Sequence, residues 1–185
     1  MASLDQLPEN LPVPVDDGAC SHLQGFSLPS VHLTATNGQL VDFSSLSSVV
    51  IYCYPMTGRP DVQLPDGWEQ IPGARGCTPQ SCSFRDHYSE LQALGTEVYG
   101  LSTQATDYQV EAKNRLHLPF ELVSDNALSF INALNLPTFE VDGIKLSKRI
   151  TLIAQNGLIT KVFYPVFPPD KNADQVIEFL QGKDA

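Results

Sequence analysis

The sequence predicts an α/β fold, with a mixed central sheet flanked by helices on both faces and entered through an N-terminal β-hairpin. Three observations carry this. Val49-Val50-Ile51-Tyr52-Cys53-Tyr54 is β-branched and aromatic, the mark of a strand buried on both faces of a sheet with parallel neighbours. After it, strand and helix patterns alternate. Asn-Gly pairs at 37–38 and 156–157, each between apolar runs, mark hairpins near the two ends.

In chain order, residues 1–17 are rich in proline and carboxylates and read as an extended, mobile arm. Residues 18–185 then form one domain. Phe26-Ser27-Leu28 and Val31-His32-Leu33 lead to the first Asn-Gly turn, and Leu40-Val41-Asp42-Phe43 returns. The strand at 49–54 ends at Pro55. A long loop follows at 58–75, containing Pro60, Pro65, Gly67, Trp68, Pro72 and Gly73; a connection of that length inside a compact domain is usually functional. A helix is expected after it, with Thr78 as the cap and Pro79 in the first turn. Phe84, Tyr88 and Leu91 supply its periodic face and Gly95 its stop. Strands are expected at 97–102 and 120–124 and helices at 107–117 and 126–135. A hairpin across 150–164 and a last helix at 172–180 complete the domain.

Composition narrows the function. Eleven Lys and Arg against 21 Asp and Glu leave a net charge of −10 on 185 residues, so no positive surface is available for nucleic acid or anionic lipid. Residues 1–10 have neither a basic residue nor an apolar run, unlike a secretory or transit peptide, and the apolar run at 49–56 is too short to span a membrane. A soluble, cytoplasmic protein is expected. In such a reducing compartment four cysteines seldom form permanent bridges.

The chemistry concentrates in Gly76-Cys77-Thr78-Pro79-Gln80-Ser81-Cys82-Ser83-Phe84-Arg85-Asp86. Cys77 sits at the mouth of the predicted helix, where free N–H groups and the positive dipole end favour an anion; an ordinary thiol, with a pKa of about 8.5, is only a few per cent ionised at neutral pH. Cys82 follows five residues on. In an intact helix the two side chains point about 140° apart and their Cα atoms lie beyond the roughly 7 Å limit for a disulfide, so joining them requires the first turns to unwind. A pair separated when reduced and joined when oxidised reads as a redox cycle. Zinc is the competing reading, but no second close Cys/His pair completes the Cys-x4-Cys spacing. Cys53, inside the buried strand, reads as a core thiol, and His22, His32, His87 and His117 receive no role. No Walker loop, Gly-x-Gly-x-x-Gly or Gly-x-Ser-x-Gly is present, and neither a cofactor nor a metal is expected.

These residues resemble a family. Strand, Pro55, loop, Gly76-Cys77-Thr78, Cys82, Phe84-Arg85-Asp86, and later Arg149-Ile150-Thr151-Leu152-Ile153 with Asn156-Gly157, are similar to the bacterioferritin-comigratory or Q class of peroxiredoxins over residues 26–180. The resemblance implies a thioredoxin-like fold and a thiol peroxidase acting on hydrogen peroxide and organic hydroperoxides. It implies that Cys77 becomes a sulfenic acid and condenses with Cys82, that Arg149 stands beside Cys77, and that thioredoxin or a similar dithiol reduces the disulfide in a monomer or homodimer. Two departures stand out. The family's compact Pro-x-x-x-Thr-x-x-Cys loop keeps Pro55 but is interrupted by 58–75, and Ala74 occupies the place of its threonine; Thr57 is the candidate to fold back and supply that hydroxyl. The alternatives are a thiol–disulfide oxidoreductase, disfavoured by the missing Cys-x-x-Cys, and a redox sensor with weak peroxidase activity. Cys20 is a minor candidate to resolve Cys77 in place of Cys82.

Overall fold

The computed structural model describes residues 3–182. Among them, seven strands form one mixed sheet in the order β2-β1-β5-β4-β3-β8-β9, built from β1 (Leu33–Ala35), β2 (Leu40–Val41), β3 (Ser48–Cys53), β4 (Glu97–Ser102), β5 (Leu122–Ser124), β8 (Ile150–Gln155) and β9 (Leu158–Phe163). β3, β4 and β5 run parallel, while β8, β9, β1 and β2 join antiparallel. A separate hairpin pairs β6 (Thr138–Val141) with β7 (Ile144–Ser147).

β3 explains its own composition. Val49, Ile51 and Cys53 join the core that contains Phe43, Phe130 and Leu152, whereas Val50, Tyr52 and Tyr54 join the opposite core with Phe84, Leu122 and Ile153. Each of these six positions is fully buried, so the period-2 alternation leaves no face for a polar side chain. Burying each such side chain contributes about 1.5–3 kcal/mol. The loop that leaves β3 at Pro55 therefore springs from a firmly held strand. Helices α1 (Cys77–Asp86), α2 (Tyr88–Ala93), α3 (Thr106–Leu116) and α5 (Asn172–Leu180) cover the Tyr52 face, and α4 (Ser129–Ala133) covers the other.

Several expectations are corrected. Asn37 does not have a positive φ; only Gly38 does, at 82°, so the first turn is a three-residue hairpin loop with its left-handed residue at glycine and not a type I′ turn. Residues 26–28 contribute only an isolated bridge, Ser27 to Leu158, alongside β9. The expected helix at 126–135 shrinks to α4, whose first free amides, on Phe130 and Ile131, are taken by Asp125. The strand expected from 120 begins at Leu122. The β6–β7 hairpin was not expected, although Asp142-Gly143 (φ 51° and 76°) meets the type I′ requirement as Asn156-Gly157 (φ 50° and 77°) does.

The helix of residues 77–95 is also revised. α1 begins at Cys77 itself, with Gly76 as its cap, so Thr78 caps nothing and Pro79 lies in the first turn. It breaks at His87, whose two ring nitrogens lie 2.8 Å from Glu90 and 3.0 Å from Asp174. Gly95 ends α2 as expected, with Thr96 N–H reaching Leu91 and Gly95 N–H reaching Gln92.

Gly76 is required where it stands. Its φ is +115°, and a Cβ there would lie 2.4 Å from Pro169 Cγ and 2.9 Å from Leu7 Cδ2. Gly76→Ala is expected to lower unfolding stability by about 3 kcal/mol, from left-handed strain of about 1–2 and overpacking of about 1–3 kcal/mol. Thermal melting checks this, and a loss below about 1 kcal/mol would mean that the cap relaxes freely.

Candidate active site

Gly76 turns the chain so that α1 starts under the segment before it, and Cys77 is 3% exposed at the first helical position. Arg149 enters from the start of β8 and is also 3% exposed. Its Nη2 lies 3.2 Å from Cys77 Sγ across 72 residues of sequence. The rest of the guanidinium is bound by neutral groups: Ala74 O at 3.0 Å, Gly73 O at 3.3 Å and Gln80 Oε1 at 2.6 Å. A buried cation surrounded by neutral acceptors is costly unless an anion compensates it. Among the groups bound to Arg149, only the Cys77 sulfur can become that anion. Cys77 Sγ also makes a weak Sγ–H···O contact to Ala74 O at 3.8 Å.

Gln80, Asn172 and Thr151 were missed by the sequence reading. Gln80 lies three residues after Cys77, on the same helix face. Its Nε2 donates to Asn172 Oδ1 at 3.1 Å, and Thr151 Oγ1 donates to the same oxygen at 2.7 Å. All three are fully buried. This chain ties α1, α5 and β8 together and fixes the plane of Arg149, so the fork is aimed before any substrate arrives. Gln80 left a faint signal, an amide one turn from a candidate nucleophile. Asn172 left none, because nothing local links it to Cys77.

The loop at 58–75 is anchored by a small core of its own. Trp68, 3% exposed, packs with Ala74, Leu146 and Phe139, the last at a ring separation of 6.1 Å. The loop therefore leans on the β6–β7 hairpin, and its end delivers the Gly73 and Ala74 carbonyls that hold Arg149. Arg75, buried beside them, donates to the carbonyls of Ser3 (2.6 Å), Gln6 (3.3 Å) and Leu4 (3.5 Å). The arm, which turns at 4–5 and 9–10, is pinned at these points and at Asp17, which bonds Tyr164 and Lys148.

The hydrogen bonds of Thr57 go to Gln104 and not to Cys77. Its Oγ1 donates to Gln104 Oε1 at 3.3 Å, and the two residues also bond through the Thr57 main chain. Pro55 is buried just beyond β3. Cys82 is half-buried in a groove lined by Leu4, Asp5, Arg59, Arg85 and Arg115. Burial pushes its thiol pKa up, Asp5 and Asp86 add to this, and Arg85 and Arg115 oppose it. Cys77 and Cys82 are both free thiols on one continuous helix. Cys20 packs in the core on the opposite side of the sheet from Cys77, where burial, with the Asp17 and Asp16 charges, pushes its thiol up to about 12. Cys53 is fully buried in that same opposite core.

A sheet with β3, β4 and β5 parallel and β8 and β9 antiparallel, carrying a buried thiol at a helix start against a buried arginine, defines a thiol-redox protein of the thioredoxin-like class. The Redoxin family model matches residues 23–177. The chloroplastic peroxiredoxin Q of Suaeda salsa is 28% identical over 161 residues, covering 86% of this chain and 68% of its own. The chloroplastic peroxiredoxin Q of Arabidopsis thaliana is 26% identical over 161 residues, with 86% and 67% covered. In fold, the peroxidoxin BcpB of Mycobacterium tuberculosis superposes with a TM-score of 0.72 at 21% identity, covering 89% of this chain and all (100%) of its own. The bacterioferritin comigratory protein of Xanthomonas campestris, studied for alkyl peroxide reduction, gives 0.64 at 18% identity, with 94% and 97% covered. The chain belongs to the Redoxin family.

Proposed function

We propose that this peroxidase works through Cys77 as the attacking thiolate and Cys82 as its resolving partner. Cys77 Sγ attacks one oxygen of the hydroperoxide, the O–O bond breaks, and the other oxygen leaves as water or alcohol after taking a proton; Cys77 becomes a sulfenic acid. Arg149 stabilises the thiolate and the negative charge that develops on the leaving oxygen. Cys82 then attacks the sulfenic sulfur, water leaves, and a Cys77–Cys82 disulfide forms. Two thiols of thioredoxin or a similar dithiol restore both cysteines and are themselves oxidised to a disulfide. The observation that carries this reading is the buried 3.2 Å contact between Arg149 and Cys77, with only neutral groups elsewhere around the guanidinium. A thiol pair that must be re-reduced after each turnover suits a reducing compartment such as the cytosol. The protein acts as a monomer or homodimer.

The test is a thiol count under denaturing conditions, before and after one equivalent of hydrogen peroxide. Wild type is expected to lose two of its four thiols rapidly, with a mapped Cys77–Cys82 bond, and Cys77→Ser to lose none. Persistence of all four wild-type thiols over minutes would overturn the peroxidase reading. A redox sensor is the second reading, favoured by Thr57 being bound to Gln104 and by the arm lying over the site. Slow peroxide turnover with a large structural change on oxidation would support it.

A further inference from the structure

We propose that the start of the N-terminal arm is a strap across α1 that sets how fast Cys82 meets oxidised Cys77, and so how readily excess peroxide carries Cys77 on to a sulfinic acid. The proposal rests on the peroxidase reading and goes beyond it in giving the arm a part in the second step. Residues 3–7 are seated by two leucines and one arginine. Leu4 lies against the start of the loop at 58–75: a Cβ added at Gly58 would stand 3.1 Å from Leu4 Cδ2 and 3.0 Å from Leu64 Cδ2. Leu7 lies against Gly76, immediately before Cys77, its Cδ2 2.9 Å from where a Cβ would stand. Arg75, 5% exposed, donates to the carbonyls of Ser3, Leu4 and Gln6, and its charge is answered by Glu69 at 3.5 Å. The same segment flanks Cys82. Ser3, Leu4 and Asp5 line one groove at this residue, and Asp5, Gln6 and Leu7 line a second, together with Pro79 and Ser83 of α1.

The second step gives these contacts a consequence. Cys77 and Cys82 join only after the first turns of α1 unwind, and those turns lie against Leu7 and the backbone held by Arg75. The arm has to lift with them. Until it does, the sulfenic acid at Cys77 has two fates. Cys82 sulfur can attack it, whereupon water leaves and the disulfide forms. Alternatively the sulfenic sulfur attacks a second hydroperoxide, the O–O bond breaks, water or alcohol leaves, and a sulfinic acid remains. A contact present over the closed helix and absent once it unwinds slows the first fate and leaves the second untouched. Arg75 supplies charge-assisted hydrogen bonds, and breaking even one on the way to the unwound state is worth about tenfold in rate. By linkage, the disulfide loosens the arm in the same measure as the seated arm disfavours the disulfide.

The test follows both steps in wild type, in the double variant Leu4→Ser/Leu7→Ser and in Arg75→Met. The two leucines are only half-buried and belong to the arm, so their loss unseats it without disturbing the core. With hydrogen peroxide, both variants are expected to form the Cys77 sulfenic acid at the wild-type rate and the disulfide at least about tenfold faster, and under excess peroxide to accumulate about tenfold less sulfinic acid. A merely structural role would change both steps alike. In parallel, thermolysin, which cuts before leucine, probes the wild-type arm, with cuts at Leu4 and Leu7 read by mass. Cutting is expected to be at least about tenfold faster in the Cys77–Cys82 disulfide form than in the reduced protein. Disulfide formation at the wild-type rate in either variant, or equal cutting of the reduced and disulfide forms, would overturn the strap and leave the peroxidase reading standing. If peroxide gives no sulfenic acid, the peroxidase reading fails, and the thermolysin comparison, made on the disulfide formed with diamide, alone decides whether the arm answers to the state of α1.

Discussion

Arg149→Met is expected to slow oxidation of Cys77 by two to three orders of magnitude while lowering the melting temperature only moderately. The rate falls because the guanidinium is aimed, before reaction, at the thiolate and at the leaving oxygen; removal of one such preorganised donor typically costs about 10²–10³ in rate. Stability falls only moderately for a different reason: methionine of similar length removes a desolvated charge, which offsets part of the cost, about 1–3 kcal/mol each, of leaving Gln80 Oε1 and the Gly73 and Ala74 carbonyls without their donor. Arg149→Lys supplies charge without the fork that reaches Gly73, Ala74, Gln80 and Cys77 together, so it is expected to restore only part of the rate. Stopped-flow oxidation and thermal melting on the same samples separate the two effects. A Met variant that oxidises at the wild-type rate would remove Arg149 from the mechanism.

Cys82→Ser is expected to leave the first step intact and abolish the second. One equivalent of peroxide should then remove one thiol and form no disulfide, turnover with a dithiol should fall at least about a hundredfold, and excess peroxide should carry Cys77 onward to the irreversible sulfinic acid. The wild-type second step has a pH dependence of definite sign. Burial holds the Cys82 pKa above the ordinary thiol value, so at neutral pH the group is protonated and its thiolate, the attacking form, is scarce. Disulfide formation should therefore speed up as pH rises, by roughly tenfold per unit while Cys82 stays mostly protonated. A disulfide step that is flat between pH 6 and 8 would mean that unwinding of α1, and not ionisation, limits it. Mass spectrometry of quenched samples reads both outcomes.

The arm bears on that unwinding. Leu7 packs against Gly76, Leu4 and Asp5 line the groove at Cys82, and Arg75 holds three arm carbonyls, so the segment crosses the turns that must open. Residues 3–17 include turns at 4–5 and 9–10, with Asn10 at φ 65°. What the sequence could not show is that Arg75, about 70 residues on, supplies donors for the backbone of Ser3, Leu4 and Gln6.

What the sequence determined by itself is what short-range physics specifies. β3 was legible because burial on both faces removes every polar position from a run, and the turn at 156–157 because Asn-Gly meets a local dihedral requirement. Cys77 and Cys82 were legible because their spacing and the helix start lie within one stretch of eleven residues. Arg149 came from the likeness to peroxiredoxins, since no local pattern distinguishes it from a surface cation. Tertiary structure alone decided the rest. Gln80 meets Asn172 across 92 residues, the arm meets Arg75 across about 70, and Thr57, next to the right proline, is hydrogen-bonded to Gln104 and not to Cys77. Hydrogen bonds between distant segments depend on which helix lands on which strand, and that is fixed by the packing of the whole sheet, not by the residues on either side of the bond.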